Sequence, residues 1–263
     1  MQYETITFEV KDHVAFITLN RPDAANGFNI PMGKDLMHAA IQCDENSDIR
    51  AVLMTGVGKM FSAGGDLKYF TEFGDNLGSA LKEMTVYCHA AASRFMRMNA
   101  PLVTAVNGAA AGIGMSFAIC GDFVIASESA IFMAAYTAAG LSPDGGMTYL
   151  LPRMIGLART KEILLTNRRL SAQEALDWGL VNKVVPDGEL MKEAEALARR
   201  LANGPTLSFG SVKRLLNEAF SETLESQMEH ESRGIVDMTR TRDAKEGIAA
   251  FIERRRPNFT GSL

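Results

Sequence analysis

The chain opens on an alternation of apolar and polar side chains. In residues 5–10, Ile6, Phe8 and Val10 share one face, and residues 13–19 form a second strand after Lys11-Asp12, which predicts a β-hairpin. From Pro31 to about Glu45 the pattern becomes helical, and residues 51–55 form a short apolar run expected of a buried strand. A glycine-rich loop over 56–65, a polar segment and a long helix through His89 and Arg97 follow. Residues 102–106 predict another buried strand, ending in Asn107-Gly108, with a small-residue helix running on to about Cys120. Two short strands are expected at 123–126 and 130–133.

Beyond Asp144 the pattern turns helical. Ser171-Ala-Gln-Glu174 has the form of a capping box opening a helix that ends near Trp178-Gly179. Residues 180–185 return as an extended piece. From Glu189 onward the chain reads as helix, with breaks expected at Gly204-Pro205 and around Gly234. Strands alternating with helices, then a helical tail, predict an α/β core over 1–200 and a helical region over 201–263. No sequence-level repeat and no low-complexity linker interrupts it.

With 263 residues, 47% of them hydrophobic and 22% charged, the chain can bury a substantial core and is not disordered. A net charge of −4 and a pI near 5.7 argue against a nucleic-acid partner, which calls for a basic face. The one dense basic run, Arg254-Arg255-Arg256, reads as a solvated helix end, with a contact to an anionic ligand as the competing reading. Cys43, Cys88 and Cys120 form neither a zinc pattern nor a disulfide framework, so reduced thiols and no metal are expected. The first residues show no signal-peptide pattern, and the apolar runs at 102–111 and 113–119 are too short to span a bilayer. A soluble, cytoplasmic protein is expected.

Between Glu128 and Glu162 the only acidic side chain is Asp144, in Gly140-Leu-Ser-Pro-Asp-Gly-Gly146. Placed before Gly-Gly-Met-Thr, it reads as a helix N-cap. The competing reading, in an apolar setting, is a carboxyl with a raised pKa, fit to shuttle a proton near neutral pH. Three look-alike motifs fall away. Gly56-Val-Gly-Lys59 lacks the P-loop spacing, and Gly108, Gly112 and Gly114 do not match the dinucleotide fingerprint. Ser116, Asp144 and His230 occur in the order of a hydrolase triad, but Ser116 falls inside a predicted helix and Ala118 replaces the second elbow glycine. Two glycine-rich loops remain, Phe61-Ser-Ala-Gly-Gly-Asp-Leu-Lys68 and Asn107-Gly-Ala-Ala-Ala-Gly-Ile-Gly114, each following a buried strand. They would either aim two amides at one carbonyl oxygen or simply allow tight strand-to-helix packing.

The ordered set Asn20-Arg-Pro, Phe61-Ser-Ala-Gly-Gly-Asp-Leu, Pro101-Leu-Val-Thr-Ala-Val-Asn-Gly-Ala-Ala-Ala-Gly, Cys120-Gly-Asp and Gly140-Leu-Ser-Pro-Asp resembles the crotonase, or enoyl-CoA hydratase/isomerase, superfamily. Leu150-Leu-Pro-Arg-Met-Ile-Gly, Ala175-Leu-Asp-Trp-Gly-Leu-Val and the ending Arg256-Pro-Asn-Phe-Thr-Gly extend the resemblance over nearly the whole chain. It implies a spiral of ββα units with C-terminal helices that build homotrimers, often paired into hexamers. It implies an acyl-CoA thioester as substrate, no separate cofactor, and an oxyanion hole made by the amides of Gly65 and Ile113. Ala24 and Ala25 at a bend, with Ala63, Asp66, Leu67 and Lys68, are implied to lie along the substrate; Lys68 is either a phosphate contact or an ordinary surface lysine.

Hydratases of the superfamily use two glutamates. The matching positions here hold Ser116 and Tyr136, and neither replaces a carboxylate at neutral pH. The acid at 144 matches the single-acid isomerases of the superfamily, including the epoxide-opening and Δ3→Δ2 enoyl-CoA types of aromatic-acid degradation. A double-bond shift and a ring or epoxide rearrangement are both implied, and a 1,3-proton shift needs one base. In that reading Asp144 takes a proton from C2 and returns it at C4, beside an apolar wall including Phe132, Ala135 and Tyr136. A dehalogenase branch that attacks a 4-halobenzoyl ring also carries Asp there, paired with a helical His that matches His89 and a Trp that is Tyr136 here. Two further readings are hydration and a non-catalytic acyl-CoA-binding homologue. The segment 69–81 and the C-terminal helices are expected to shape the pocket.

Overall fold

The computed structural model describes residues 2–262. Strands β1 (Ile6–Lys11) and β2 (Val14–Leu19) form the expected antiparallel hairpin. Its two-residue turn puts both Asp12 and His13 at positive φ, 50° and 64°, the geometry that matches the twist of the flanking strands. Next to β2, in parallel, lie β3 (Ala51–Gly56), β5 (Leu102–Val106), β7 (Phe123–Ser127) and β10 (Lys183–Val185), giving a six-stranded sheet in the order β1-β2-β3-β5-β7-β10. β3 and β5 are buried along their whole length, which is why they read as unbroken apolar runs.

Each of the three central strands runs on into a shorter one. These are β4 (Met60–Ser62), β6 (Ala109–Ala111) and β8 (Ile131–Met133), mutually parallel, with β9 (Leu170–Ser171) antiparallel at the edge of a second, four-stranded sheet. A helix then follows: α2 (Leu67–Thr71) after β4, α4 (Ile113–Ile119) after β6, and α5 (Met147–Ile155) after β8. This is the repeated ββα architecture implied above. Within the predicted 56–65 loop, then, lies a strand, and part of the second glycine loop is also β-structure. Residues 180–185 are extended only at β10.

Helices α1 (Ile30–Glu45) and α3 (Leu77–Arg97) pack together on one face of the large sheet. Gly33 sits at their contact, where a Cβ would lie 3.2 Å from Cys88 Sγ. The opposite face is covered by α8 (Leu190–Ala202), whose Ala194, Ala198 and Ala202 recur every four residues and pack with Val14, Leu53, Val103 and Ile125. Residue 200, the expected boundary, lies within this helix. Between α5 and α8 the chain forms α6 (Leu157–Thr166) and α7 (Ala172–Asp177); the Ser171–Glu174 capping box at α7 is present as predicted.

The C-terminal region consists of α9 (Thr206–Glu218), α10 (Leu224–Met238) and α11 (Arg242–Glu253). The expected break at Gly234 does not occur, because α10 runs through it; there a Cβ would lie 3.1 Å from Ser211 Oγ of α9, so the glycine serves close helix packing. Buried Lys213 ties α9 to the core through Asp122 Oδ2 (2.7 Å) and the carbonyls of Phe95 and Ala100. Arg50 holds the final segment by donating to the Gly204 and Phe259 carbonyls. In the basic run, Arg254 is the left-handed cap of α11, and Arg255 pairs with Glu246 and Glu253. The helix-end reading therefore accounts for it.

All three cysteines are buried, and burial pushes the Cys120 thiol up to about 12. Among the described residues no helix is long and apolar enough to cross a membrane, and no group of three or more His, Cys, Asp or Glu is gathered to hold a metal.

Candidate active site

The two glycine loops meet. A Cβ on Gly64 would lie 2.9 Å from the Ala111 carbonyl oxygen, and one on Gly112 would lie 3.4 Å from the Gly64 Cα. Gly112 has φ 51° and ψ −132°, a conformation open essentially only to glycine, and it delivers the chain into α4. Gly114 lets α4 sit directly on β4, since a Cβ there would be 2.5 Å from Ser62 Cβ. The first loop is braced from beneath by buried Asn26, which donates to the carbonyls of Val57 and Met60 and accepts from the Arg21 amide. Ser62 Oγ in turn donates to the Asn26 carbonyl.

Among these tightly bonded loops two amides stand out. The N–H groups of Gly65 and Ile113 take no hydrogen-bond acceptor among the described residues, whereas Gly64, Asp66 and Gly112 each do. Both residues line one cavity of about 270 Å³. Its walls are apolar, with Leu67, Phe70, Leu81, Met84, Ile113 and Leu141 prominent, and Asp144 is the only carboxylate among the described lining residues.

Asp144 reaches the cavity on a turn docked against α4 and α3. Ser116 Oγ donates to the Asp144 carbonyl at 2.9 Å, and the Gly145 amide donates to His89 Nε2 at 3.2 Å. The Tyr136 hydroxyl donates to Asp144 Oδ1 at 2.5 Å. Oδ2 has no donor among the described residues and is not one of the buried unpaired oxygens, and Asp144 lines the cavity. Burial raises the carboxyl above its ordinary value, with the Tyr136 hydrogen bond opposing the rise. The same burial, together with the Asp144 charge, holds the Tyr136 phenol well above 10, so it stays a neutral donor. The N-cap reading of Asp144 is overturned: α5 begins after Gly146, and no side chain caps it.

The family profile described as enoyl-CoA hydratase/isomerase matches residues 9–262. The chain belongs to that family. It is 38% identical to the 1,2-epoxyphenylacetyl-CoA isomerase of Escherichia coli (strain K12), an alignment covering 98% of this chain and 99% of that one. It is 37% identical to a protein named "Probable enoyl-CoA hydratase" from Rhodobacter capsulatus, over 99% of this chain and all of the other. A crystal structure of an enoyl-CoA hydratase from Polaromonas sp. JS666 superposes with a TM-score of 0.92 at 33% identity, covering 97% of this chain and 99% of that chain.

Of the residues that the family resemblance singles out, the cavity brings together Ala63, Gly65, Leu67, Ile113, Tyr136 and Asp144. Ala135, expected in the apolar wall, lines it too. Phe132 does not: it pairs with Leu170 across β8 and β9 and is fully buried in the core. Ala24 and Ala25 form the bend ahead of the first loop, where the Ala25 carbonyl accepts from the Ala63 amide. Asp66 is engaged structurally, capping α2 through the Tyr69 amide and pairing with Arg21 at 2.8 Å. Lys68 is exposed on α2 and makes no ion pair among the described residues. His89 lies on α3 outside the cavity lining, its Nε2 lone pair taken by the Gly145 amide.

Ser116 and His230 form no triad with Asp144. Ser116 donates to the Asp144 backbone, and His230 lies on α10 beside Glu218 at 3.4 Å. Phe70 and Leu81 of the expected 69–81 segment line the cavity, but no described residue of the C-terminal helices does. Sequence reasoning missed Met84 and Thr85, one helical turn before Cys88 and His89. It also missed the supporting roles of Arg21 and Asn26, although the Asn20-Arg-Pro motif marked that bend.

Proposed function

We propose that the protein is an enoyl-CoA isomerase that moves a double bond by a one-base proton shift. The thioester carbonyl accepts hydrogen bonds from the Gly65 and Ile113 amides, which stabilise the enolate oxygen as charge develops there. Asp144 removes a proton from C2, the electron pair enters the dienolate, and the same acid returns the proton at C4. The observation that carries this reading is that Asp144 is the single carboxylate among the described residues lining the cavity. Hydration needs a base for water and an acid for carbon, and the two positions that would hold those groups carry Ser116 and Tyr136, both bonded to Asp144 itself. The apolar walls supply the low dielectric that raises the carboxyl toward neutral pH. They also favour an apolar acyl group, aliphatic or aromatic, and the relative acting on 1,2-epoxyphenylacetyl-CoA is consistent with the latter.

The engagement of His89 by the Gly145 amide weighs against a dehalogenase, because the ring offers no free basic nitrogen to the cavity. Purified protein is incubated with trans-3-hexenoyl-CoA, trans-2-hexenoyl-CoA or 4-chlorobenzoyl-CoA and followed by absorbance. Isomerisation of the first is expected, and Asp144→Asn should lower its rate by about 10²–10⁴-fold, the usual span for a general base. An Asn variant within a few-fold of the native rate would sink the one-base mechanism. Rapid hydration of the second substrate would make the protein a hydratase, and chloride release from the third a dehalogenase.

A further inference from the structure

Tyr136 follows a strained residue. Ala135 adopts φ 61°, a left-handed conformation unfavourable for any residue with a Cβ, between the end of β8 and the helical turn at Thr137–Ala139. Such strain persists where the surroundings over-determine it, and here the next side chain lines the cavity and reaches Asp144 Oδ1. The groups facing Asp144 are Tyr136 from this loop, Ser116 from α4, and His89 and Cys88 from α3. Ser116 donates to the backbone carbonyl, His89 accepts from Gly145, and burial keeps the Cys88 thiol neutral. Among the described residues, Tyr136 is therefore the one donor to the carboxylate.

We propose that Tyr136 is a positioning residue: by holding Oδ1 it fixes the carboxylate plane and presents Oδ2 as the oxygen that moves the substrate proton. This rests on the proton-shift reading above. In the first step the C2–H bond breaks, its proton forms a bond to Oδ2, and the C–H electron pair enters the dienolate. In the second, the O–H bond on Oδ2 breaks and leaves its electron pair on the carboxylate. The proton forms the C4–H bond with the dienolate's electron pair as the C2–C3 double bond and the carbonyl re-form. The phenol keeps its own proton throughout, since donating it would create a buried phenolate beside the acid. The same hydrogen bond stabilises the ionised form of Asp144 and so offsets part of the burial that would otherwise keep it protonated.

Tyr136→Phe retains the ring and removes only the donor. With trans-3-hexenoyl-CoA, kcat on the high-pH plateau is expected to fall about ten-fold from lost orientation, with KM within about three-fold. The acidic limb of the kcat/KM profile should move up by about one pH unit, as expected for losing a hydrogen bond to a charged acceptor. The ¹³C-carboxyl resonance of Asp144 in the substrate-free protein, assigned with Asp144→Asn, should titrate higher in Tyr136→Phe as well. A carboxyl that titrates at the same pH in both proteins overturns the proposal, as does an unmoved limb with unchanged kcat. If the native protein turns over no 3-enoyl substrate, the isomerase reading fails by itself. The resonance then still decides: a raised titration upholds Tyr136 as the residue that sets Asp144, and an unmoved one removes it.

Discussion

Burial holds the Asp144 carboxyl above the ordinary value of 3.8, while the Tyr136 hydroxyl pulls the other way. A group whose folded pKa lies above its unfolded one binds a proton more tightly in the native state. Its stabilising contribution is fully present below pH 3.8 and is lost as pH rises through the folded value. At neutral pH, then, the ionised carboxylate costs the fold free energy that a neutral isostere would not. Asp144→Asn keeps an oxygen for Tyr136 and carries no charge to desolvate. It is expected to melt higher than the native protein at pH 7.5, with the margin shrinking as pH falls toward 3.8. Thermal melts across that range check this. An Asn variant that melts lower at pH 7.5 would mean that the Tyr136 bond outweighs desolvation. The same substitution is predicted above to abolish most activity, so stability and function would move in opposite directions at one residue.

The turn that carries Asp144 works because of two adjacent glycines with different duties. Gly145 has φ 63°, and a Cβ on it would lie 2.8 Å from Ser116 Cβ; Gly146 has φ 84°, with nothing within 4 Å. Gly145→Ala should therefore suffer both backbone strain and a clash with α4, roughly 2–4 kcal/mol in all, and should displace Asp144. Gly146→Ala should meet the strain alone, about 1–2 kcal/mol, and keep most of its activity. Melting temperatures and isomerase rates of the pair test the difference; equal losses at both positions would refute it. This contrast also marks how far elements could be read from the chain. The hairpin, α1, β3, β5 and the α7 capping box carried period or cap chemistry and stand where expected. β4, β6 and β9 did not show themselves, because two or three residues such as Ala109–Ala111 give no alternation to read. Gly234 suggested a break because a helix glycine is costly in isolation, whereas here contact with Ser211 offsets that cost. The family motifs led to Asp144 and the two amides, yet nothing in the eight-residue separation of Tyr136 and Asp144 foretold their hydrogen bond. That contact depends on the positive φ of Ala135, which ordinary propensities do not anticipate.

At the scale of the molecule, the C-terminal helices leave an apolar surface that a single chain does not cover. Leu216 of α9, Phe220 in the turn after it, Leu224 and Ile235 of α10, and Phe251 and Ile252 of α11 are exposed, Phe251 at 87% and Ile252 at 74%. An isolated apolar side chain on a surface is unremarkable, but a run of large exposed ones along the C-terminal helices is what an association face would present. Lys213 ties α9 to the core, and Arg50 holds Gly204 ahead of α9 and Phe259 after α11. Identical copies usually associate with closed symmetry, and the trimer or pair of trimers is the closed arrangement that the family resemblance implies. Light scattering after gel filtration should then give three or six times the chain mass of 28.6 kDa. Phe251→Glu, which places a charge on the most exposed of these residues without touching the core, should shift the mass toward that of one chain at micromolar concentration. Because no described residue of α9–α11 lines the cavity, the dissociated variant should keep its Asp144–Tyr136 pair and any activity that depends on that pair alone. A native protein that runs at 28.6 kDa would overturn the assembly prediction, and a Phe251→Glu protein that stays assembled would move the interface away from α11.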